Sequence, residues 1–125
     1  MPQPLTVVAQ NTGGIYDGHT PLISKFAIID HAGSGDNTLV AAVSGKKIRV
    51  TNIVIVASNT VTIRFESGAG GTALTGQIQL TAQTGFAPGF DPTGHFETAS
   101  GQLLNLELSG AVSCDGWLKY VEVPA

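Results

Sequence analysis

The sequence predicts an all-β protein: a jelly-roll-like antiparallel β-sandwich of about eight strands, preceded by an N-terminal arm. The β-branched residues Val, Ile and Thr account for 33 of the 125 residues, and they fit a pleated, half-buried surface better than a helix. Short apolar segments are separated by glycine-rich turns, and no span of about ten residues keeps a helical period. Many short strands joined in this way indicate a two-sheet sandwich or a small barrel, and the jelly roll is the eight-strand sandwich.

Period-two alternation locates the individual strands. Val61, Ile63 and Phe65 alternate with polar neighbours, which places the three apolar side chains on one face. The leucines of 104–108 do the same. The predicted strands span residues 23–30, 38–43, 47–57, 61–67, 77–81, 96–98, 103–108 and 112–123. We expect the last strand to be interrupted at Asp115-Gly116, and we expect turns at 33–37, 44–45, 67–71 and 88–94.

Residues 1–20 differ from the rest and predict an N-terminal arm, with the sandwich domain spanning 21–125. Prolines and glycines break any regular element in this segment. Its apolar side chains are numerous enough to dock onto a partner or another subunit, and the candidate contact residues are Leu5, Val7, Val8, Ile15 and Tyr16. The alternative is that residues 1–20 contain a first strand of the sandwich followed by an ordinary loop.

Charge and hydropathy argue against several classes of partner. Only 12% of residues are charged, the net charge is −3, and the six Lys and Arg residues never form a run longer than two. Nucleic acid binding needs a basic face that this pattern lacks. No apolar stretch is longer than that at 53–57, which is far shorter than the ~20 residues of a membrane-spanning helix. The first ten residues lack the basic start and apolar segment of a signal peptide. The single cysteine, Cys114, cannot form an internal disulfide, which favours synthesis in a reducing cytoplasm.

The glycine-rich segment 68–73 matches the loosened pattern G-x-G-x-x-A and follows a predicted strand. A dinucleotide site needs a helix to begin at this point, so that its amides face the pyrophosphate. The residues that follow alternate like another strand. The segment therefore predicts a hairpin-type connection rather than a phosphate loop.

The histidines offer no metal motif. A cupin-type metal enzyme on a jelly roll would use a His-x-His pair and a carboxylate. The nearest substitutes are Asp30-His31 with Asp36, and Asp91 with His95. Adjacent residues on a strand point to opposite faces, so Asp30 and His31 could bind one ion only beyond the end of a strand.

The sequence also contains no recognisable motif for a catalytic nucleophile or for a catalytic pair of carboxylates. Ser34 does not lie in a Gly-x-Ser-x-Gly elbow, and Cys114 has no assignable histidine partner. Glu66 and Glu107 fall on the polar faces of alternating strands, where we expect solvated carboxylates. We therefore expect neither an enzyme nor a cofactor.

Five short motifs occur in order between residues 28 and 123. They are Gly-Asp-Asn-Thr at 35–38, Gly-Lys-Lys-Ile-Arg-Val at 45–50, Phe-Glu-Ser-Gly at 65–68, Gly-His-Phe-Glu-Thr at 94–98 and Tyr-Val-Glu-Val at 120–123. In this order they resemble the head decoration (cement) proteins of tailed bacteriophages. The resemblance covers most of the chain and leaves residues 1–20 outside it.

The resemblance implies a structural virion protein that binds the outside of an expanded capsid and locks neighbouring capsomers together. Its partners would be the major capsid protein and itself, with a trimer as the expected state and the arm as the expected anchor. Related sandwiches also occur in phage tails and fibres. The alternative is therefore a receptor-binding module for host glycan, for which the candidate residues are Asp91, Trp117 and Tyr120.

Overall fold

The structure, a computed structural model, describes residues 14–125, and all of its regular elements are strands. In chain order these are β1 (Tyr16–Asp17), β2 (Thr20–Pro21), β3 (Lys25–His31), β4 (Gly35–Val40), β5 (Lys46–Ala57), β6 (Val61–Ser67), β7 (Thr72–Ala73), β8 (Ile78–Leu80), β9 (Gly85–Phe86), β10 (Phe96–Glu97), β11 (Leu104–Leu108) and β12 (Cys114–Pro124). Within this part of the chain, no helix is long and apolar enough to cross a membrane.

The strands form two antiparallel five-stranded sheets that pack as a β-sandwich. In the first sheet, β12 lies between β3 and β5, and the far side of β5 pairs with β9 and β10. In the second sheet, β11 lies between β4 and β6, and the far side of β6 pairs with β7 and β8. The short strands β1 and β2 form a separate hairpin.

The core lies between the two sheets and is built by the alternation that the sequence predicts. Val61, Ile63 and Phe65 of β6 are buried, as are the three leucines of β11. The first sheet contributes Ile53 and Ile55 of β5, among others. Phe65 of the second sheet also contacts the first sheet, because its ring stacks on that of Phe96 in β10 with centroids 4.9 Å apart.

Most predicted strands are confirmed, and 61–67 has the bounds that the sequence predicts. The expected interruption at Asp115-Gly116 is wrong, because β12 runs unbroken past both residues and pairs on both sides. β4 begins at Gly35, inside the predicted turn, since the Asn37 amide donates to the carbonyls of Gly33 and Leu106 and fixes this segment against β11. The alternation did not predict the two-residue strands β1, β2, β7 and β9.

Candidate functional site

Charged and polar side chains converge on the outer face of the second sheet, where they come from the three neighbouring strands β4, β11 and β6. We call Asp36, Arg64, Glu66, Asn105 and Glu107 the polar cluster. The strand register places Glu107 between Asp36 and Arg64, and it places Asn105 directly opposite Glu66. Oxygen atoms of the three carboxylates lie within 4.8 Å of one another. Such close like charges require compensation from neighbouring donors.

The compensation comes from one guanidinium and one amide. Arg64 Nε donates to Glu66 Oε2 over 2.9 Å, and a second guanidinium nitrogen pairs with both Glu66 and Glu107. Asn105 Nδ2 donates to Asp36 Oδ1 over 2.9 Å and to Glu66 Oε1 over 2.8 Å. The hydrogen bond to Glu66 raises the pKa of Arg64, and a guanidinium stays charged in proteins in any case.

The expectation that Glu66 is solvated is wrong, because its side chain is fully buried. The glycine-rich segment forms the predicted hairpin connection and leads into β7, which places Ala73 opposite Glu66. The Gly70 amide donates to Asp36 Oδ1 over 3.2 Å. A side chain at Gly71 would place its Cβ 2.0 Å from the Ser67 carbonyl oxygen, so the tight turn requires glycine there. Glu107 stays partly exposed, as expected.

The polar cluster links neighbouring strands through hydrogen bonds and ion pairs. Its carboxylates are of the type that hard cations prefer, but Arg64 already supplies a fixed positive charge to Glu66 and Glu107. Together the donors connect β4, β6 and β11 with the turn at 67–71. Among residues 14–125, Asn105 Oδ1 is a buried polar atom without a partner.

The structure does not bring together the first of the two residue sets that come nearest to a metal motif in the sequence. Asp30 lies exposed on the first sheet, and His31 follows it on the same strand, where adjacent side chains point to opposite faces. Asp36 lies across the sandwich in the polar cluster. One metal ion therefore cannot contact Asp30, His31 and Asp36 together.

The second of these sets, Asp91 with His95, belongs to a loop whose backbone hydrogen-bonds to β5. Asp91 Oδ1 accepts hydrogen bonds from the Thr93 hydroxyl over 2.7 Å and from its amide over 2.9 Å. These bonds lower the pKa of Asp91. His95 Nε2 lies 2.7 Å from the Gly89 carbonyl oxygen. Both side chains are thus engaged in holding the loop together.

Cys114 is fully buried, and burial raises the pKa of its thiol. The register of β3 and β12 places His31 opposite Cys114, a neighbour that the sequence did not reveal. No hydrogen bond joins their side chains within the described part of the chain. A protonated, inaccessible thiol is the opposite of an activated nucleophile.

Apolar side chains are exposed on the outer face of the first sheet. We call Phe26, Ile28, Val54, Val56 and Trp117 the apolar face. Phe26 is 58% exposed and Ile28 is 70% exposed. Trp117 is half-buried and stacks on Phe26, with ring centroids 6.1 Å apart. The sequence did not single out Phe26 or Ile28, because both phases of β3 are apolar and alternation could not choose between them.

The chain has no match among protein-family models or among curated proteins. The three residues proposed for a glycan site do not form one platform. Trp117 lies on the apolar face, whereas Tyr120 packs against the core and Asp91 lies in the loop beyond the opposite side of β5.

The candidate contact residues of the arm fall into two groups. Leu5, Val7 and Val8 lie outside the described residues. Ile15 is buried against Val121 and Val123 of β12, and Tyr16 is half-buried on β1. Beside them, an open groove of about 310 Å³ is lined by residues of three segments, namely Thr20, Pro21, Leu22, Ile23, Lys25, Lys46, Glu122 and Pro124.

Proposed function

We propose that this protein is a structural virion protein of a tailed bacteriophage, which binds the outer surface of the capsid and stabilises it. In this proposal the protein is a jelly-roll decoration protein without catalytic activity. It is made in the host cytoplasm and ends on the virion. The observation that carries the proposal is the nested pairing of the strands.

The nesting is visible in the strand partners. β6 pairs with the nearby β7 and β8, β5 pairs with β9 and β10, β4 pairs with β11, and β3 pairs with β12. Each pair encloses the one before it, as in a long hairpin rolled into two sheets. When β7 with β8, and β9 with β10, are each counted as one interrupted strand, this is an eight-strand sandwich. This arrangement supports a jelly roll, an architecture common in viral capsid and lectin domains.

The physical character of the chain suits a cement role. Such a protein needs a stiff body and contact surfaces rather than reactive groups. The polar cluster ties three strands of the second sheet together, and the buried thiol of Cys114 is unreactive. The sequence resemblance described above points the same way. Many copies on a closed lattice would turn modest affinities at single sites into strong binding.

The arm is the proposed anchor. Leu5, Val7 and Val8 supply apolar side chains, and the described chain begins beside the groove lined by Pro21, Leu22 and Ile23. Ile23 is 79% exposed there, which leaves apolar surface for a capsid protein to cover. The expectation of a trimer rests on the resemblance alone.

Co-sedimentation with capsids stripped of the protein tests the proposal. We expect saturable rebinding and a higher temperature of capsid disruption. A variant lacking residues 1–13 should fold normally and fail to bind. Failure of the full chain to sediment with capsids, or capsids that break at the same temperature with and without it, would refute the proposal.

A tail or fibre module that binds host glycan is the second candidate. The exposed stack of Phe26 on Trp117 favours it, because aromatic faces are suited to packing against sugar rings. Binding of the purified protein to host cells, lost in Trp117→Ala and retained in Phe90→Ala, would favour this function. The same protein would then not bind capsids that have been stripped of it.

A further inference from the structure

We propose that the apolar face is a self-association surface that pairs two copies of this chain face to face about a twofold axis. This inference concerns how the protein associates with itself and does not depend on capsid binding. It rests on the arrangement of charges around the apolar face and on an uncompensated pair of carboxylates at one end of it.

Three cross-strand rows make up this surface. In the middle row, Trp117 lies between Ile28 and Val54. Two residues away along β12, Lys119 lies beside Phe26, and two residues the other way Asp115 lies directly opposite Asp30. The rows are about 7 Å apart, given the rise of a β-strand. The surface therefore has an apolar centre, a positive end and a negative end.

The negative end is unfavourable in a single copy. Asp30 and Asp115 are both exposed and occupy opposed positions of neighbouring strands, where like charges destabilise a sheet. Asp115 accepts a hydrogen bond from the Ser113 hydroxyl over 2.9 Å. Within residues 14–125, none of Asp30, Asp115 and Lys119 takes part in an ion pair.

A second copy would supply one positive charge to each negative end, opposite Asp115, and would place its Phe26 over Asp30. A twofold axis that runs across the strands along the middle row reverses the strand direction and turns the faces toward each other. Lys119 of each copy then lies over Asp115 of the other, while Trp117 and Ile28 meet their own equivalents. A twofold axis parallel to the strands would instead place Lys119 on Lys119. Charge complementarity thus selects one isologous arrangement.

The size of the surface sets the expected strength. Three strands and five residues give a footprint of about 14 by 17 Å, which is small beside the ~800 Å² that each partner buries in a standard interface. We therefore expect a concentration-dependent dimer that weakens as salt screens the charge pairs. A twofold pair also differs from the trimer implied by the family resemblance.

Sedimentation equilibrium across a dilution series tests the pairing. The wild-type mass should rise from one copy to two with concentration. The emission of Trp117, the only tryptophan, should shift to shorter wavelength over the same range. Lys119→Glu and Asp115→Lys should each raise the dissociation constant at least about tenfold, because both symmetric contacts become repulsive. Phe90→Ser is the control, because Phe90 is about as exposed as Phe26 but lies outside the apolar face. This variant should leave the dissociation constant unchanged.

A mixture of the two charge variants is the decisive sample. In a mixed dimer, the glutamate introduced in one chain would face the lysine introduced in the other. The second contact would keep the unchanged pair of Asp115 and Lys119, so the mixture should form dimers that neither variant forms alone. A wild type that stays monomeric or forms only trimers would overturn the proposal, as would single variants that dimerise normally or a mixture that does not. A monomer that loses capsid binding on Lys119→Glu would assign the face to the capsid protein instead.

Discussion

Asn105 and Glu66 face each other across β11 and β6, both fully buried, with the amide Nδ2 of Asn105 donating to Glu66 Oε1 over 2.8 Å. The same nitrogen donates to Asp36. One amide therefore serves two carboxylates, one of which has no access to water. Loss of that donor leaves a buried charge short of hydrogen bonds.

We predict that Asn105→Leu lowers the free energy of unfolding by about 2–3 kcal/mol, because the buried oxygen Glu66 Oε1 loses its donor while Oε2 keeps its bonds to Arg64. Urea denaturation of the purified variant measures this. Gln79→Leu removes an amide at an exposed position of β8 and is the matched control, expected to change stability by less than about 0.5 kcal/mol. Equal stabilities of the two variants would show that the hydrogen bonds donated by Asn105 add nothing to the stability of the fold.

Phe65 joins the two sheets through its stack on Phe96. Phe65→Ala should cost about 3–5 kcal/mol, since it opens a cavity in the core that the surrounding strands cannot fill. Phe90→Ala, at a site 52% exposed, should cost less than about 0.5 kcal/mol. Thermal and urea unfolding followed together would report both values. A small effect at Phe65 would mean that the sheets can close over the vacated space.

Gly116 lies opposite Ile55 of β5, at a position where the neighbouring strand leaves no room for a side chain. A Cβ at this position would lie 1.8 Å from the Val54 carbonyl oxygen, which is backbone and cannot move aside cheaply. Gly116→Ala should therefore destabilise the protein by about 1–3 kcal/mol or more. The comparison is Gly110→Ala, where the added Cβ meets nothing within 4 Å. If both alanine variants melt at the wild-type temperature, the close approach at Gly116 is not a constraint.

Asp91 should make stability depend on pH in the acid range. Its pKa in the folded protein is lowered by the hydrogen bonds from Thr93, so the unfolded chain binds the proton first as pH falls. The contribution is complete above the unfolded value of about 3.9 and is lost as pH falls through the folded-state pKa. Asp91→Asn should thus lower the melting temperature slightly at neutral pH, with a difference that shrinks toward pH 2. A difference that is constant with pH would contradict this account.

The sequence is a good guide to the strands and a poor guide to the surfaces. Alternation predicted β6 and β11 because their inward residues are apolar and their outward residues are polar. Glu66 is buried although alternation predicts a solvated carboxylate, because the alternation of β6 does not show that strand pairing places Glu66 between Asn105 and Ala73. Alternation also failed to predict that Phe26 and Ile28 are exposed. β3 is apolar in both phases, so only the register against β12 reveals which side faces outward.

The nested pairing has a consequence for how the chain acquires its structure. β6 and its partners β7 and β8 are close in sequence, so their pairing closes a short loop, whereas β3 and β12 enclose nearly the whole described chain. Because longer loops cost more entropy to close and distant pairings form slowly, we expect assembly from the inner pair outward. Strand β3 would then be the last to gain its partner, so the edge of β12 that β3 covers in the folded protein stays open to other chains until folding is complete.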